Sequence, residues 1–163
     1  MGISMHVQII AVGKIKERYL CDGIAEYVKR LKPYTRLTIT EVDDIRRPVN
    51  LSEKQQEKIL ALEGEKILAA LHEQATAIAL AVDGKPYSSE ELAGHLRKCE
   101  VSGTSQIAFI IGGDLGLCPA VMEQCDLSLS LSNMTFTHPM ARLILLEQIY
   151  RAFRIMRGEP YHR

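Results

Sequence analysis

Residues 106–116 read Gln-Ile-Ala-Phe-Ile-Ile-Gly-Gly-Asp-Leu-Gly, an apolar run that ends in glycines. A short apolar run without polar alternation predicts a strand that is buried inside a sheet. Glycine ends the strand because it has no Cβ and adopts backbone conformations that are closed to other residues. This segment therefore predicts a buried strand followed by a tight turn.

Strand and helix patterns alternate on both sides of this segment. The predicted strands cover residues 7–12, 37–42, 77–82, 106–111 and 127–131, and the predicted helices cover 17–32, 52–72, 88–99, a short stretch from Pro119, and 139–157. Ser52 is a predicted N-cap, Ser88 and Glu91 have the spacing of a capping box, and residues 83–86 are predicted to form a turn. The alternating order predicts an α/β fold with a parallel sheet flanked by helices, in one domain over residues 1–163.

Composition narrows the class of protein. The chain has 163 residues, of which 47% are hydrophobic and 25% charged, as in an ordinary globular domain. The net charge is zero, which argues against binding of nucleic acid through a surface that is positively charged overall. From position 137 onward the balance becomes basic, with Arg142, Arg151, Arg154, Arg157 and Arg163 against Glu147 and Glu159.

The four cysteines have no zinc-type spacing, so they predict no metal site and fit a reducing, cytoplasmic environment. The amino terminus lacks the features of a signal peptide. No apolar stretch reaches about 18 residues, so we expect no membrane span.

Three segments follow predicted strands and are expected to meet at the carboxyl edge of the sheet, where ligands bind in such folds. They are residues 80–85, 112–116 and 131–137. The glycines of 112–116 match neither a dinucleotide fingerprint nor a phosphate-binding P-loop. From the residues alone, this segment is either a ligand cradle or simply a tight turn between a strand and a helix.

The carboxyl-terminal segment carries the second group of candidate residues. His138 and Arg142 lie within about one turn of a helix start, and Tyr161, His162 and Arg163 end the chain. A core helix with solvated arginines explains the helix well, but it does not explain the aromatic and basic tail. Docking of this tail on RNA remains open as an alternative.

Four segments together resemble one family. Residues 109–113, 129–142, 147–153 and 160–163 are similar to the ribosomal RNA large subunit methyltransferase H (RlmH) family of the SPOUT superfamily. Residues 12–14 and 83–85 also fit that family, and the resemblance covers essentially the whole chain. No single piece is specific by itself, but the combination is.

The resemblance implies a SPOUT fold with a trefoil knot at about residues 105–163, a homodimer, and S-adenosylmethionine as the methyl donor. It also implies methylation of N3 of pseudouridine 1915 in 23S rRNA, on the assembled 70S ribosome. The family's cofactor-binding positions correspond to Leu80, Gly112, Leu131, Ser132, Asn133, Met134, Thr135 and Phe136.

The implied reaction must remove a proton from an imide nitrogen. A neutral histidine accepts protons near neutral pH, so His162 is the first candidate and His138 the competing one. Arg142 or Arg163 could stabilise charge on the ring carbonyls, and Tyr161 could stack on the base. Arg154 and His138 are expected to contact RNA. The alternative function is a non-catalytic protein of the same fold that binds RNA or the ribosome.

Overall fold

The structure is a computed structural model that describes residues 5–45 and 49–161. Along these residues strands and helices alternate, as the sequence predicts. The elements are β1 (His6–Val12), α1 (Arg18–Leu31), β2 (Arg36–Val42), α2 (Glu53–Ala70), β3 (Thr76–Pro86), α3 (Ser89–Val101), β4 (Gln106–Ile111), α4 (Pro119–Gln124), β5 (Leu127–Ser130) and α5 (His138–Met156). The expected α/β class is confirmed.

The strands form one parallel sheet in the order β2-β1-β4-β3-β5. The apolar run of residues 107–111 lies in β4, and each of its side chains is buried. β4 occupies the centre of the sheet, where Ile9 of β1 and Ile78 of β3 flank Phe109. A central parallel strand has no face in contact with water, which explains why its sequence does not alternate.

Helices cover both faces of the sheet. α1, α3 and α5 bury one face, with Phe109 and Phe153 inside that layer. α2 and α4 bury the other face, where Ile110 packs in the same cluster as Val121. The predicted helices on both faces are therefore confirmed.

Local signals in the sequence set the helix starts. Ser52 with Gln55, and Ser88 with Glu91, each form a complete capping box. Thr137 caps α5 because its Oγ1 accepts a hydrogen bond from the Met140 amide at 3.4 Å. Each cap satisfies backbone donors that the first turn of a helix leaves unpaired.

The predicted turn at residues 83–86 is wrong. β3 continues to Pro86, and after a shift of register its Lys85 pairs with Leu129 of β5. A Cβ on Gly84 would lie 2.8 Å from the carbonyl carbon of Ser128, so only glycine permits this approach of two backbones. The residues typical of a turn here form an irregularity within a strand.

Candidate functional site

A large open cavity lies at the carboxyl edge of the sheet. Its volume is about 1060 Å³, enough for a ligand of nucleoside size. It is lined by residues 14, 16, 17, 19 and 20 after β1, by residues 80–83 within β3, by residues 111–117 at the end of β4 and after it, by residue 122 of α4, and by residues 129–132, 134–139 and 141 at the end of β5 and after it. All three segments that the sequence placed at this edge contribute to it.

A tight turn after β4 forms one wall of the cavity. A Cβ on Gly112 would lie 2.5 Å from the carbonyl oxygen of Gly116, so the backbone there tolerates no side chain. Gly113 and Gly116 form an isolated bridge, in which the Gly116 amide donates to the Gly113 carbonyl at 3.0 Å. Gly116 has a φ of +84°, a conformation that favours glycine. The glycines therefore keep side chains out of this part of the wall.

Seven of the eight predicted cofactor-binding residues line this cavity. They are Leu80, Gly112, Leu131, Ser132, Met134, Thr135 and Phe136. Asn133 lies in the same loop but does not line the cavity. The loop is held by side chains, because the Ser132 Oγ accepts from the Met134 amide and the Ser130 Oγ donates to the Ser132 carbonyl, each at 3.0 Å.

His138 also lines the cavity and contacts a carboxylate. Its Nδ1 lies 3.1 Å from Oδ1 of Asp114, a residue of the turn after β4. The His138 side chain is 33% exposed and that of Asp114 is 62% exposed. The fold thus brings together residues from the β4 turn and from the start of α5.

Arg142 does not line the cavity. It is buried, and its Nη1 donates to Oε2 of Glu41 at 2.6 Å. Its Nη2 donates to the carbonyl oxygen of Gly13 at 3.2 Å. The guanidinium therefore connects α5 to the carboxyl ends of β1 and β2, beneath the segment that borders the cavity.

Tyr161, the last residue that the structure describes, packs against α5 and α1 and does not line the cavity. The Tyr161 ring packs edge-on against Tyr150 at 4.8 Å between centroids, and the guanidinium of Arg151 lies 4.8 Å from its centroid. Burial raises the pKa of Tyr161, and hydrogen bonds to Tyr27 and Glu147 raise that pKa further. The phenol is therefore neutral at physiological pH.

Arg154, the predicted RNA contact, binds residues 159 and 160, which follow α5. Its Nη1 lies 2.6 Å from Oε2 of Glu159 and 3.0 Å from the Tyr34 hydroxyl, and its Nη2 donates to the Pro160 carbonyl. These contacts join α5 to the segment between α1 and β2 and to residues 159 and 160. His162 and Arg163 lie outside the described residues.

Sequence reasoning missed the contribution of the segment after β1. Lys14, Lys16 and Tyr19 border the cavity, and the Tyr19 side chain is exposed. The sequence holds a signal for them, since this segment also follows a strand. However, its use requires the strand order, because only the pairing of β1 with β4 brings the two turns together.

Residues 5–45 and 49–161 contain neither a metal-binding cluster nor a membrane-spanning helix. Within these ranges no three His, Cys, Asp or Glu residues cluster in a way that could hold a metal ion. None of the helices in the same ranges is both long and apolar enough to cross a bilayer.

Comparison with known proteins defines the class. A family model described as "Predicted SPOUT methyltransferase" matches residues 5–162. A "Probable Methyltransferase" from Bordetella pertussis Tohama I superposes with a TM-score of 0.53 at 17% identity, over 91% of this chain and 96% of that chain. A probable methylase family protein from Haemophilus influenzae Rd KW20 gives 0.52 at 14% identity, over 97% of this chain and 69% of that one. These two structures share the fold; the family match makes the protein a SPOUT methyltransferase, and hence an enzyme.

Closer relatives define the branch. "Ribosomal RNA large subunit methyltransferase H" of Carboxydothermus hydrogenoformans is 55% identical over 159 residues, which span 98% of this chain and all of that protein. The protein of the same name from Bacillus pumilus is 51% identical over the same lengths. The chain belongs to the ribosomal RNA large subunit methyltransferase H family of the SPOUT superfamily.

Proposed function

We propose that this protein uses S-adenosylmethionine to methylate N3 of pseudouridine 1915 in 23S rRNA on the assembled 70S ribosome. The observation that carries this proposal is the cavity, because seven residues that the family resemblance assigns to the cofactor line it. The names of the relatives from Carboxydothermus and Bacillus support ribosomal RNA as the substrate class.

The residues of the cavity fit this cofactor. Leu80 and Phe136 offer apolar surface for a flat base, beside the tight turn that Gly112 permits. Carboxylates such as that of Asp83 suit a sulfonium or an ammonium group, and Lys14 suits a carboxylate. When bound, S-adenosylmethionine supplies an electrophilic methyl group. The chain binds and orients the reactants and excludes water.

Several residues are proposed to act on the RNA. His162 or His138 accepts the imide proton, Arg163 stabilises the charge that develops, and Tyr161 stacks on the base. His138 and Arg154 contact the RNA, the latter by exchanging its contacts with the tail for a phosphate. A role for Arg142 in charge stabilisation stays a prediction, and its buried ion pair makes that role directly testable.

A homodimer is part of the proposal. The exposed apolar side chains Tyr19, Val82, Met134 and Phe136 all border the cavity, which favours a second copy as their cover. The tail adds a second argument. Ala141 borders the cavity, and Tyr150, which contacts Tyr161, lies about 13 Å further along α5.

Tyr161 contacts Tyr150 and does not line the cavity of its own copy, which favours the cavity of a second copy as the place where Tyr161 acts. A trefoil knot at about residues 105–163 and a cytoplasmic location complete the proposal.

Mass mapping of rRNA tests the function. A deletion strain is compared with the same strain carrying the intact gene, and we expect one methyl group on a pseudouridine of 23S rRNA to depend on the gene. In parallel, the purified protein is titrated with S-adenosylmethionine. Binding to ribosomes without binding of S-adenosylmethionine, and with unchanged rRNA mass, would instead indicate a non-catalytic ribosome-binding protein.

A further inference from the structure

Two separately fixed backbone segments hold the contact between Asp114 and His138. Asp114 lies in the turn after β4, which the bridge between Gly113 and Gly116 closes. His138 is the first residue of α5, next to its cap Thr137. The fold therefore brings these two side chains to the same place, where Oδ1 and Nδ1 lie 3.1 Å apart.

This contact selects one form of the neutral imidazole. A carboxylate only accepts hydrogen bonds, so Nδ1 carries the proton and donates it to Asp114. The other ring nitrogen, Nε2, then has a free lone pair. Within the part of the chain that the structure describes, Nε2 has no hydrogen-bond partner, while the side chain borders the cavity.

The other histidines of the described residues lie elsewhere. The Nε2 of His6 contacts Thr38 across β1 and β2, His72 follows α2 at the amino edge of β3, and His95 packs beside Tyr87. None of these three borders the cavity, whereas His138 does. Among the described residues, the other charged groups on the cavity wall besides Asp114 are Lys14, Lys16, Glu17 and Asp83, and none of them is an imidazole.

We propose that His138 is the proton acceptor of this methyltransferase and that Asp114 is its positioning residue. This inference rests on the proposed function. The N3–H bond of the imide breaks, its electron pair stays on the ring nitrogen, and the proton binds the Nε2 lone pair. The imidazolium that results keeps its second proton on Nδ1, where the Asp114 carboxylate offsets the positive charge.

A structural role alone does not account for this pair. Both side chains are partly in water, and exposed ion pairs contribute little to stability. Replacing either residue should therefore leave the fold intact, so a large effect on turnover would come from the reaction itself.

The first experiment uses the protein without ligands. Nitrogen NMR of the histidine side chains should show His138 with Nδ1 protonated and Nε2 unprotonated in the wild type at a mildly basic pH. In Asp114→Asn the two tautomers should become mixed, while Asp22→Asn, a change on the exposed face of α1, should leave the signal unchanged. The same mixed signal in the wild type would overturn the positioning role of Asp114.

The second experiment measures turnover on ribosomes together with binding of S-adenosylmethionine. For His138→Gln we expect kcat to fall about 100- to 10,000-fold, the range of general base catalysis, with cofactor affinity unchanged within about threefold. Asp114→Asn should lower kcat about 10- to 100-fold with little change in KM, and Asp114→Glu should restore part of the loss. His72→Gln is the matched control.

The other outcomes distinguish failure of this inference from failure of the proposed function. A kcat of His138→Gln within about threefold of the wild type overturns the inference but leaves the proposed function standing. Loss of cofactor binding in His138→Gln also overturns it, because the residue would then belong to the cofactor cradle. If the wild type itself does not methylate ribosomes, the proposed function fails, and the inference fails with it.

Discussion

A variant of Arg142 can distinguish a structural role of this residue from a catalytic one. Sequence reasoning assigns it to charge stabilisation in the reaction, whereas the structure buries its guanidinium between Glu41 and the Gly13 carbonyl. Replacement by methionine keeps most of the side-chain volume but removes the charge and both hydrogen bonds. The two roles predict different results, because only the structural role changes the free energy of unfolding.

The magnitude follows from the contacts. A hydrogen bond to a charged partner contributes about 1.5–3 kcal/mol, and the one to Glu41 belongs at the low end because that side chain is 36% exposed and screened by water. The bond to the Gly13 carbonyl adds about 1 kcal/mol. The substitution also removes the buried Nε, which has no hydrogen-bond partner among the described residues, and this gain offsets part of the lost stability. We expect Arg142→Met to lower the free energy of unfolding by about 2 kcal/mol.

Urea unfolding and thermal melting measure this change. For a domain of this size, about 2 kcal/mol corresponds to a fall in Tm of roughly 4–8 °C. A double-mutant cycle with Glu41→Gln should show a coupling energy of about 1 kcal/mol. If Arg142→Met melts like the wild type, shows no coupling to position 41, and still loses turnover, the structural argument is refuted and the catalytic role gains support.

Two further predictions concern the glycines and a half-buried histidine, His95. Gly112→Ala, whose Cβ would lie 2.5 Å from the Gly116 carbonyl oxygen, should lower stability by about 1–3 kcal/mol and weaken binding of S-adenosylmethionine, measured by urea unfolding and calorimetry. Its control, Gly94→Ala in α3, meets no atom within 4 Å and should raise stability by about 0.5–1 kcal/mol; the same sign for both would contradict the packing argument. Burial lowers the pKa of His95 below its ordinary value of 6.5, so the unfolded chain binds a proton first as the pH falls. The stabilisation from neutral His95 is complete above the unfolded pKa and is lost as the pH falls toward the folded pKa. The free energy of unfolding, measured in urea at about pH 7.5 and about pH 5, should therefore change less between these two pH values in His95→Gln than in the wild type.

Much of the fold could be predicted because its signals are local. The run at 106–111 marks the central strand, and the predicted N-cap Ser52 and the predicted capping box at Ser88 mark two helix starts within one residue. The segment at 83–86 misled the prediction because Asp, Gly, Lys and Pro together are typical of turns. Only the nearby β5 backbone shows that Gly84 serves a close approach between strands.

The candidate site was predictable in outline, since ligands bind at the carboxyl edge of parallel sheets. The contacts of Arg142 and Arg154 were not predictable, because they depend on partners that are distant in the chain. Arg142 is 101 residues from Glu41, and Arg154 is 120 residues from Tyr34. A sequence shows a basic residue but not the carboxylate that folding brings to it. Both arginines were therefore predicted to be available for contacts with the RNA substrate.

The spacing of His138 and Arg142 explains why both residues were candidates for roles in the reaction. Residues four apart lie on the same side of a helix, one turn from each other. In this structure the first borders the cavity, and the second is buried one turn further along the helix. Arg142 thereby fixes the position of the turn that carries His138. A loss of activity in an Arg142 variant is therefore expected from displacement of His138 alone, and only a simultaneous measurement of stability can assign the loss to chemistry.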